Sequence, residues 1–263
     1  MKLITLMENT AVRPDLHAEH GLSLYIETEQ HKILFDAGQT GLFIENAETL
    51  GVDLTQVDLA ILSHGHYDHS GGLTSFLSIN DHAPVYMNER AFSDCWHGSD
   101  HYIGVDQTLK DSGRVVLTGD AHHLSDTLTL CTCVGLPRLH PASGQGLTIR
   151  QADGTFVQDE FLHEQYLMIE ENGKRVLISG CSHKGILNIM SWLHPDILIG
   201  GFHFMKLDPT EDRAALKTAA DELNKYDTVY YTCHCTGTEQ YETLKEWMDS
   251  RLFYLSGGSE LII

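Results

Sequence analysis

The stretch that decides the fold is Ser63-His64-Gly65-His66-Tyr67-Asp68-His69-Ser70-Gly71-Gly72. It follows a short apolar run, Leu59 to Leu62, that predicts a buried strand, and it ends where a helical pattern begins. In an extended segment, side chains two residues apart point to the same side. His64, His66 and Asp68 can therefore face one point in space.

The chemistry of these side chains indicates a metal site. Imidazole and carboxylate groups are the ligands that zinc, iron and manganese bind in proteins. With His69, which enters as the chain turns into a helix, the loop offers more ligands than a single tetrahedral ion draws from one segment. We therefore expect two divalent metal ions as cofactors, zinc first, with iron or manganese as the alternatives.

Four of the predicted strands are each followed within a few residues by a histidine. If these strands point the same way, their carboxyl ends present imidazoles to one shared crevice, which is where open α/β sheets bind ligands. Histidines that are distant in sequence can then meet in space. The four histidines are His64, His183, His203 and His234.

The rest of the chain predicts sheets packed on each other and covered by helices. Twelve short apolar runs, from Lys2–Leu6 to Glu260–Ile263, predict strands. Apolar residues at helical spacing predict helices at 40–50, 70–79, 184–192, 212–226 and 237–248. No linker or low-complexity segment interrupts the 263 residues, so we expect one domain over 1–263.

The composition limits the partners. A net charge of −20 excludes DNA, RNA and anionic lipid as expected partners, because phosphate binding depends on clustered Lys and Arg. The apolar runs are far shorter than the roughly 20 residues of a membrane span. Glu8 comes too early for a signal peptide. We expect a soluble cytoplasmic protein that acts on a small-molecule substrate. Its cysteines are expected to be free, buried or bound to metal and not disulfide-bonded. The composition leaves the formation of a homo-oligomer open.

The histidine stretch resembles the signature of the metallo-β-lactamase-fold superfamily, His-x-His-x-Asp-His. The signature residues stand here as His64, His66, Asp68 and His69. The resemblance implies an α/β fold, the four-layer αββα sandwich, with the metals at one edge between the two sheets. It also implies that Asp36, in Asp36-Ala37-Gly38, contacts the metal ligands and orients them without binding the metal itself.

The same resemblance implies the remaining ligands. His234, after a late strand, corresponds to the histidine that binds the second metal together with Asp68 and His69. Cys181 stands where the superfamily usually places a bridging aspartate, so a thiolate ligand or a non-ligating neighbour is implied there. His163 and His183 are the two candidates for the third histidine of the first metal.

A narrower resemblance covers nearly the whole chain. It is to proteins named for a 7,8-dihydropterin-6-methyl-4-(β-D-ribofuranosyl)-aminobenzene-5′-phosphate synthase, and it slightly favours His183 as the ligand. It implies that His20 is a pocket residue and that His203 faces substrate or transfers a proton. The segments that carry it are Glu19–Ser23, Ser63–His69, Gly180–His183, Gly200–His203 and Cys233–Gly237.

Three functions follow as hypotheses. The first is a metal-dependent hydrolase in which a metal-bound hydroxide attacks a small ester, phosphoester or lactone, with Asp68 and His203 as catalytic residues. The second is the condensation of a pterin diphosphate with an aminobenzene ribotide. The third is a non-catalytic metal or ligand sensor.

The segment Trp96–Tyr102 is a candidate lid, and the nine histidines not named so far are expected at the surface.

Overall fold

The computed structural model describes Met1–Ile263 and divides into two compact units. The first unit comprises Met1–Gly119, Gln145–Gln165 and Ser256–Ile263, and the second comprises Asp120–Gly144 and Tyr166–Leu255. Each unit has its own main sheet and its own apolar core. The single domain expected over 1–263 stays a prediction.

The chain forms short strands and helices in alternation. The strands are β1 (Lys2–Met7), β2 (Ser23–Glu27), β3 (Lys32–Phe35), β4 (Leu59–Ile61), β5 (Val85–Asn88), β6 (Cys95–His97), β7 (His101–Tyr102), β8 (Val115–Thr118), β9 (Ala121–His123), β10 (Leu128–Cys131), β11 (Leu147–Arg150), β12 (Phe156–Gln158), β13 (Tyr166–Glu171), β14 (Lys174–Ile178), β15 (Ile197–Ile199), β16 (Val229–Thr232), β17 (Leu252–Tyr254) and β18 (Glu260–Ile262). The α-helices are α1 (Leu42–Thr49), α2 (Tyr67–Ser70), α3 (Leu73–Ile79), α4 (Ile186–Leu193), α5 (Arg213–Leu223) and α6 (Thr238–Met248). All twelve runs predicted as strands are strands, with ends that differ by at most two residues.

The first unit is built on a seven-stranded sheet in the order β18-β1-β2-β3-β4-β5-β8. β3, β4, β5 and β8 are parallel neighbours, whereas β2, β1 and β18 join antiparallel. Leu34 and Ala60 face a core that α1 and α3 cover with Phe43 and Phe76. Because β3, β4 and β5 are parallel, the loops after their carboxyl ends lie at one edge of this sheet.

The first unit also contains a four-stranded sheet, in the order β12-β11-β6-β7, that the sequence did not predict. Its strands have two to four residues, too few to show an apolar alternation. Trp96–Tyr102, expected as a lid, is an antiparallel hairpin in which His97 pairs with His101. A small core of Cys95, Ile103, Leu147 and Phe161 lies beneath this sheet.

The second unit is built on a seven-stranded sheet in the order β17-β16-β15-β14-β13-β10-β9. β14, β15, β16 and β17 are parallel, as expected for strands joined by helices. α4, α5 and α6 bury Ile189, Leu216 and Leu244 against strand residues that include Leu198 and Tyr230. The carboxyl ends of β14, β15 and β16 therefore lie at one edge of this sheet.

The helix predicted over 70–79 is two helices, α2 and α3, separated by Gly71 and Gly72. A Cβ at Gly71 would overlap the carbonyl oxygen of Gln39, and one at Gly72 would overlap that of Ala37. The backbone of the preceding loop comes too close for any side chain, so only glycine fits.

None of the α-helices, of which the longest has 11 residues, has the length and apolarity needed to cross a membrane.

Candidate metal centre

The histidine loop begins just after β4, at the edge of the sheet of the first unit. His64 and His66 lie in the loop, and Asp68 and His69 lie in α2. The ring centroid of His64 is 4.5 Å from that of His66 and 4.2 Å from that of His69. The Nε2 atom of His69 is 3.6 Å from the nearer carboxylate oxygen of Asp68. All four side chains are buried, and the structure brings them together.

Asp36 follows β3 at the same sheet edge and contacts the histidine loop through both of its carboxylate oxygens. Its Oδ1 accepts a hydrogen bond from the backbone nitrogen of Ser63 at 2.7 Å, and its Oδ2 lies 2.6 Å from Nδ1 of His69. The Ser63 hydroxyl donates to Oδ2 at 2.7 Å, and its oxygen lies 2.8 Å from Nδ1 of His64. One buried carboxylate thus orients two imidazoles.

These contacts assign the ring protons. Asp36 is an acceptor at His69, and the Ser63 oxygen, whose own proton goes to Asp36, is an acceptor at His64. Nδ1 therefore carries the proton in both rings, and Nε2 is the nitrogen with the lone pair that a metal requires. Burial opposes a charge on His69, but Asp36 and Asp68 outweigh burial and raise the pKa of His69. A carboxylate behind a metal-binding imidazole is the usual outer support of such sites.

His163 supports the same loop from a different side. Its Nδ1 accepts a hydrogen bond from the backbone nitrogen of Gly65 at 3.0 Å, and its Nε2 lies 3.0 Å from a carboxylate oxygen of Asp159. The Cys95 sulfur is 3.8 Å from the same Nε2. Because Gly65 donates to Nδ1, the ring proton is on Nε2 and is directed to Asp159. Both ring nitrogens of His163 are therefore engaged by protein atoms.

This network also surrounds His66. One ligand-type atom from each of His66, Cys95, Asp159 and His163 lies within 4.8 Å of the other three, and all four side chains are buried. Burial, with a smaller effect of His163, lowers the pKa of His66 to about 3. His66 is therefore neutral at pH 7, which is the form that binds a metal ion.

In the second unit, the predicted residues lie after three adjacent parallel strands. Cys181 and His183 follow β14, His203 follows β15, and His234 follows β16. Because these strands are parallel neighbours, all four residues lie at one edge of the sheet, as their sequence pattern predicted. The ring centroids of His183 and His203 are 4.4 Å apart. His203 is half-buried, whereas the other three side chains are buried.

The backbone at this edge is held in unusual conformations. Ser182, His203 and His234 have φ values of 60°, 56° and 50°, in the left-handed region that non-glycine residues seldom adopt. The backbone nitrogen of Phe202 donates to the Thr236 hydroxyl at 2.7 Å, which ties two of the loops together. Left-handed residues of this kind concentrate at functional sites, where the surrounding structure holds them in place.

Both the fold and the histidine loop are similar to those of known proteins. A model of the metallo-β-lactamase superfamily matches residues 18–108, which include the whole loop. The crystal structure of Tm1679, a metal-dependent hydrolase of the β-lactamase superfamily, covers 100% of this chain and 99% of its own at 25% identity, with a TM-score of 0.83. The chain has the metallo-β-lactamase fold, and its residues 18–108 are similar to the metallo-β-lactamase superfamily. The predicted α/β class and metallo-β-lactamase fold are confirmed, with sheets flanked by helices.

Two relatives that match about nine-tenths of this chain come from Methanocaldococcus jannaschii. An uncharacterized protein, MJ0448, is 29% identical over 92% of this chain and 93% of its own length. The 7,8-dihydropterin-6-methyl-4-(β-D-ribofuranosyl)-aminobenzene-5′-phosphate synthase is 28% identical over 90% of this chain and 88% of its own. The narrower resemblance seen in the sequence is therefore confirmed as a similarity.

The sequence predicted some, but not all, of the other residues near the histidine loop. His20, expected in the pocket, has its Nε2 atom 3.3 Å from a carboxylate oxygen of Asp68 and is largely exposed. Asp159, Cys95 and Ser63 were missed as members of the site, because no local pattern marks them. The nine histidines expected at the surface are exposed or half-buried, and none is buried: His17, His31, His82, His97, His101, His122, His123, His140 and His194.

Proposed function

We propose that this chain is a metal-dependent hydrolase that acts on a small ester, phosphoester or lactone. The observation that carries the proposal is the buried set of imidazoles and a carboxylate after β4, oriented by Asp36. This donor set suits zinc, iron or manganese, whereas Mg²⁺ prefers oxygen ligands. The similarity to Tm1679, a metal-dependent hydrolase, supports the proposal.

We assign the ligands to two ions on the basis of the sequence resemblance. The first ion is assigned His64, His66 and His183. The second ion is assigned Asp68, His69, His234 and Cys181. His163 is left out of the first set because Gly65 and Asp159 engage its two ring nitrogens. Its role is then to hold the backbone of the histidine loop, in the way that outer partners fix the orientation of metal ligands.

A divalent ion held by these residues would lower the pKa of a bound water toward neutrality and would polarise a carbonyl or phosphoryl oxygen. Asp68, next to His69 and His20, orients the attacking water and accepts its proton. His203 is only half-buried, so it is assigned the substrate side, where it transfers a proton to the leaving group. The net charge of −20 continues to disfavour polyanionic substrates.

Elemental analysis of protein purified without added metal tests the proposal, followed by a panel of chromogenic esters, phosphoesters and lactones. We expect about two equivalents of metal and turnover of one of these classes. His66→Ala should remove metal and activity together. His82→Ala, at an exposed histidine, is the matched control and should change neither. A wild-type protein that is active without metal would refute the proposal.

The second candidate function is the condensation of a pterin diphosphate with an aminobenzene ribotide. The 28% identity to the synthase over 90% of this chain favours it. Histidine-rich ligands argue against the Mg²⁺ assistance expected of such a reaction. Incubation of the metal-loaded protein with both substrates, followed by mass spectrometry, separates the two functions by whether a condensed product forms.

A further inference from the structure

Two cysteines of the second unit lie side by side at the end of β10. Cys131 is the last residue of this strand, and Cys133 follows after the buried Thr132. Both cysteines are half-buried, and the Cys133 side chain is hydrogen-bonded to Cys131. The two side chains therefore meet, and both residues are partly exposed to solvent.

The backbone conformation explains the contact. In an extended strand, residues i and i+2 are about 6.6 Å apart, near the upper limit of the Cα separation that a disulfide spans. Here the strand ends at Cys131, and Cys133 has a φ of 57°. The backbone nitrogen of Leu136 donates to the carbonyl oxygen of Cys133 at 3.3 Å, which closes the turn. The chain therefore leaves the extended conformation at Cys133, before this turn, and that change allows the two side chains to meet.

A buried cation lies beside the pair. Lys184 is fully buried, its Nζ donates to the carbonyl oxygen of Thr132 at 2.8 Å, and it lies 5.5 Å from the centre of the Tyr166 ring. The hydrogen bond from Cys133 and the charge of Lys184 together outweigh burial and lower the pKa of Cys131. A lower pKa raises the fraction of thiolate, which is the nucleophilic form of cysteine.

The chain holds a second pair at the same spacing, Cys233 and Cys235, which serves as a comparison. These two side chains are 0% and 2% exposed, so a reagent in solvent cannot reach them. Both pairs have one residue between the two cysteines. Only Cys131 and Cys133 are partly exposed to solvent and have Lys184 as a neighbour. A difference in reactivity between the pairs therefore reports the local structure and not the motif.

We propose that Cys131 and Cys133 are a redox-active dithiol that a small disulfide such as oxidised glutathione converts to an intramolecular disulfide. The Cys131 thiolate attacks one sulfur of the oxidant, a mixed disulfide forms, and one glutathione thiolate leaves. Cys133 gives its proton to solvent and attacks the Cys131 sulfur, and the second glutathione leaves. Two protein thiols are oxidised and one glutathione disulfide is reduced to two thiols.

Peptide mapping of the folded, fully reduced protein after exposure to oxidised glutathione tests the proposal. Cleavage after Arg114 and Arg138 releases both Cys131 and Cys133 in one peptide, 115–138, and cleavage after Lys225 and Lys245 releases the comparison pair in another, 226–245. We expect peptide 115–138 to lose two hydrogen masses roughly tenfold faster than 226–245. Cys133→Ser should trap glutathione on Cys131, and Cys131→Ser should prevent both products.

The wild-type measurement stands even if a variant fails to fold. Equal rates in the two peptides, or no oxidation of 115–138, would overturn the proposal. Absence of the glutathione adduct in a folded Cys133→Ser protein would overturn the assignment of Cys131 as the attacking thiol. None of these outcomes requires turnover, so the result is independent of the proposed hydrolase function.

Discussion

Replacement of Asp36 by asparagine should weaken metal binding without changing any ligand. The Asp36 carboxylate makes three short contacts: 2.6 Å to Nδ1 of His69, 2.7 Å to the Ser63 backbone nitrogen and 2.7 Å to the Ser63 hydroxyl. Asparagine has the same shape but only one acceptor oxygen. In the Asp36→Asn variant, at least one donor faces an NH₂ group in a fully buried site.

The size of the effect follows from these contacts. A hydrogen bond to a charged group contributes about 1.5–3 kcal/mol, and a buried donor left without an acceptor costs about 1–3 kcal/mol. Loss of an outer partner of a metal ligand lowers metal affinity by about 10–100-fold, which corresponds to about 1.4–2.8 kcal/mol. The two estimates agree, so we expect a loss of about 10–100-fold in affinity, larger for the ion assigned to His69.

The assay is competition for zinc between the protein and a chromogenic chelator, with folding monitored by circular dichroism. Asp58→Asn is the matched control, because Asp58 is a half-buried aspartate of the first unit that also contacts a histidine, His31, at 3.3 Å. We expect the control to bind zinc as the wild type does. Wild-type affinity in a folded Asp36→Asn protein would refute the role of Asp36 as the support of the ligands.

Three further predictions concern other residues. His183→Ala should lower the metal content by about one equivalent, whereas His163→Ala should keep both ions at lower affinity; elemental analysis and chelator competition distinguish them, and the opposite result would exchange the two assignments. Gly72→Ala should cost about 1–3 kcal/mol in thermal unfolding, because its Cβ meets backbone, while Gly119→Ala, with open space around it, should cost little; equal melting temperatures would contradict this. Burial and the nearby Glu27 raise the pKa of Tyr25 from 10.0 to about 12, so the neutral form stabilises the fold and stability should fall as pH rises from 10 toward 12; Tyr25→Phe should flatten that part of the stability curve, and an unchanged slope would disprove it.

The residues of the site that follow apolar strands could be predicted from the sequence. Leu59 to Leu62 and the runs before Cys181, His203 and His234 are local signals, because buried parallel strands need unbroken apolar residues. For the three runs before Cys181, His203 and His234, parallel pairing then fixes the sheet edge that the following residues share, and the structure has that pairing. The apolar character of the strands and their parallel pairing together were sufficient to predict where these residues lie.

The contacts that orient the loop could not be predicted. Cys95 and His163 are 68 residues apart, and Asp159 lies in a loop after β12, a strand of only three residues. Such pairs come together only when the four-stranded sheet forms, and strands of two to four residues are too short to show a periodic pattern. The contacts of His163 with Gly65 and Asp159 were not predicted either, because Gly65 is 98 residues away in the chain.

The contacts of Asp36 with Ser63 and His69 involve protein atoms alone. The rings of His64 and His69 therefore keep their tautomers and orientations in the metal-free protein, and they need no rearrangement when an ion leaves or enters. One divalent metal can then replace another without refolding. The ion found in a preparation will reflect the metals available in the growth medium, so identification of the working metal requires reconstitution of the metal-free protein with each candidate ion.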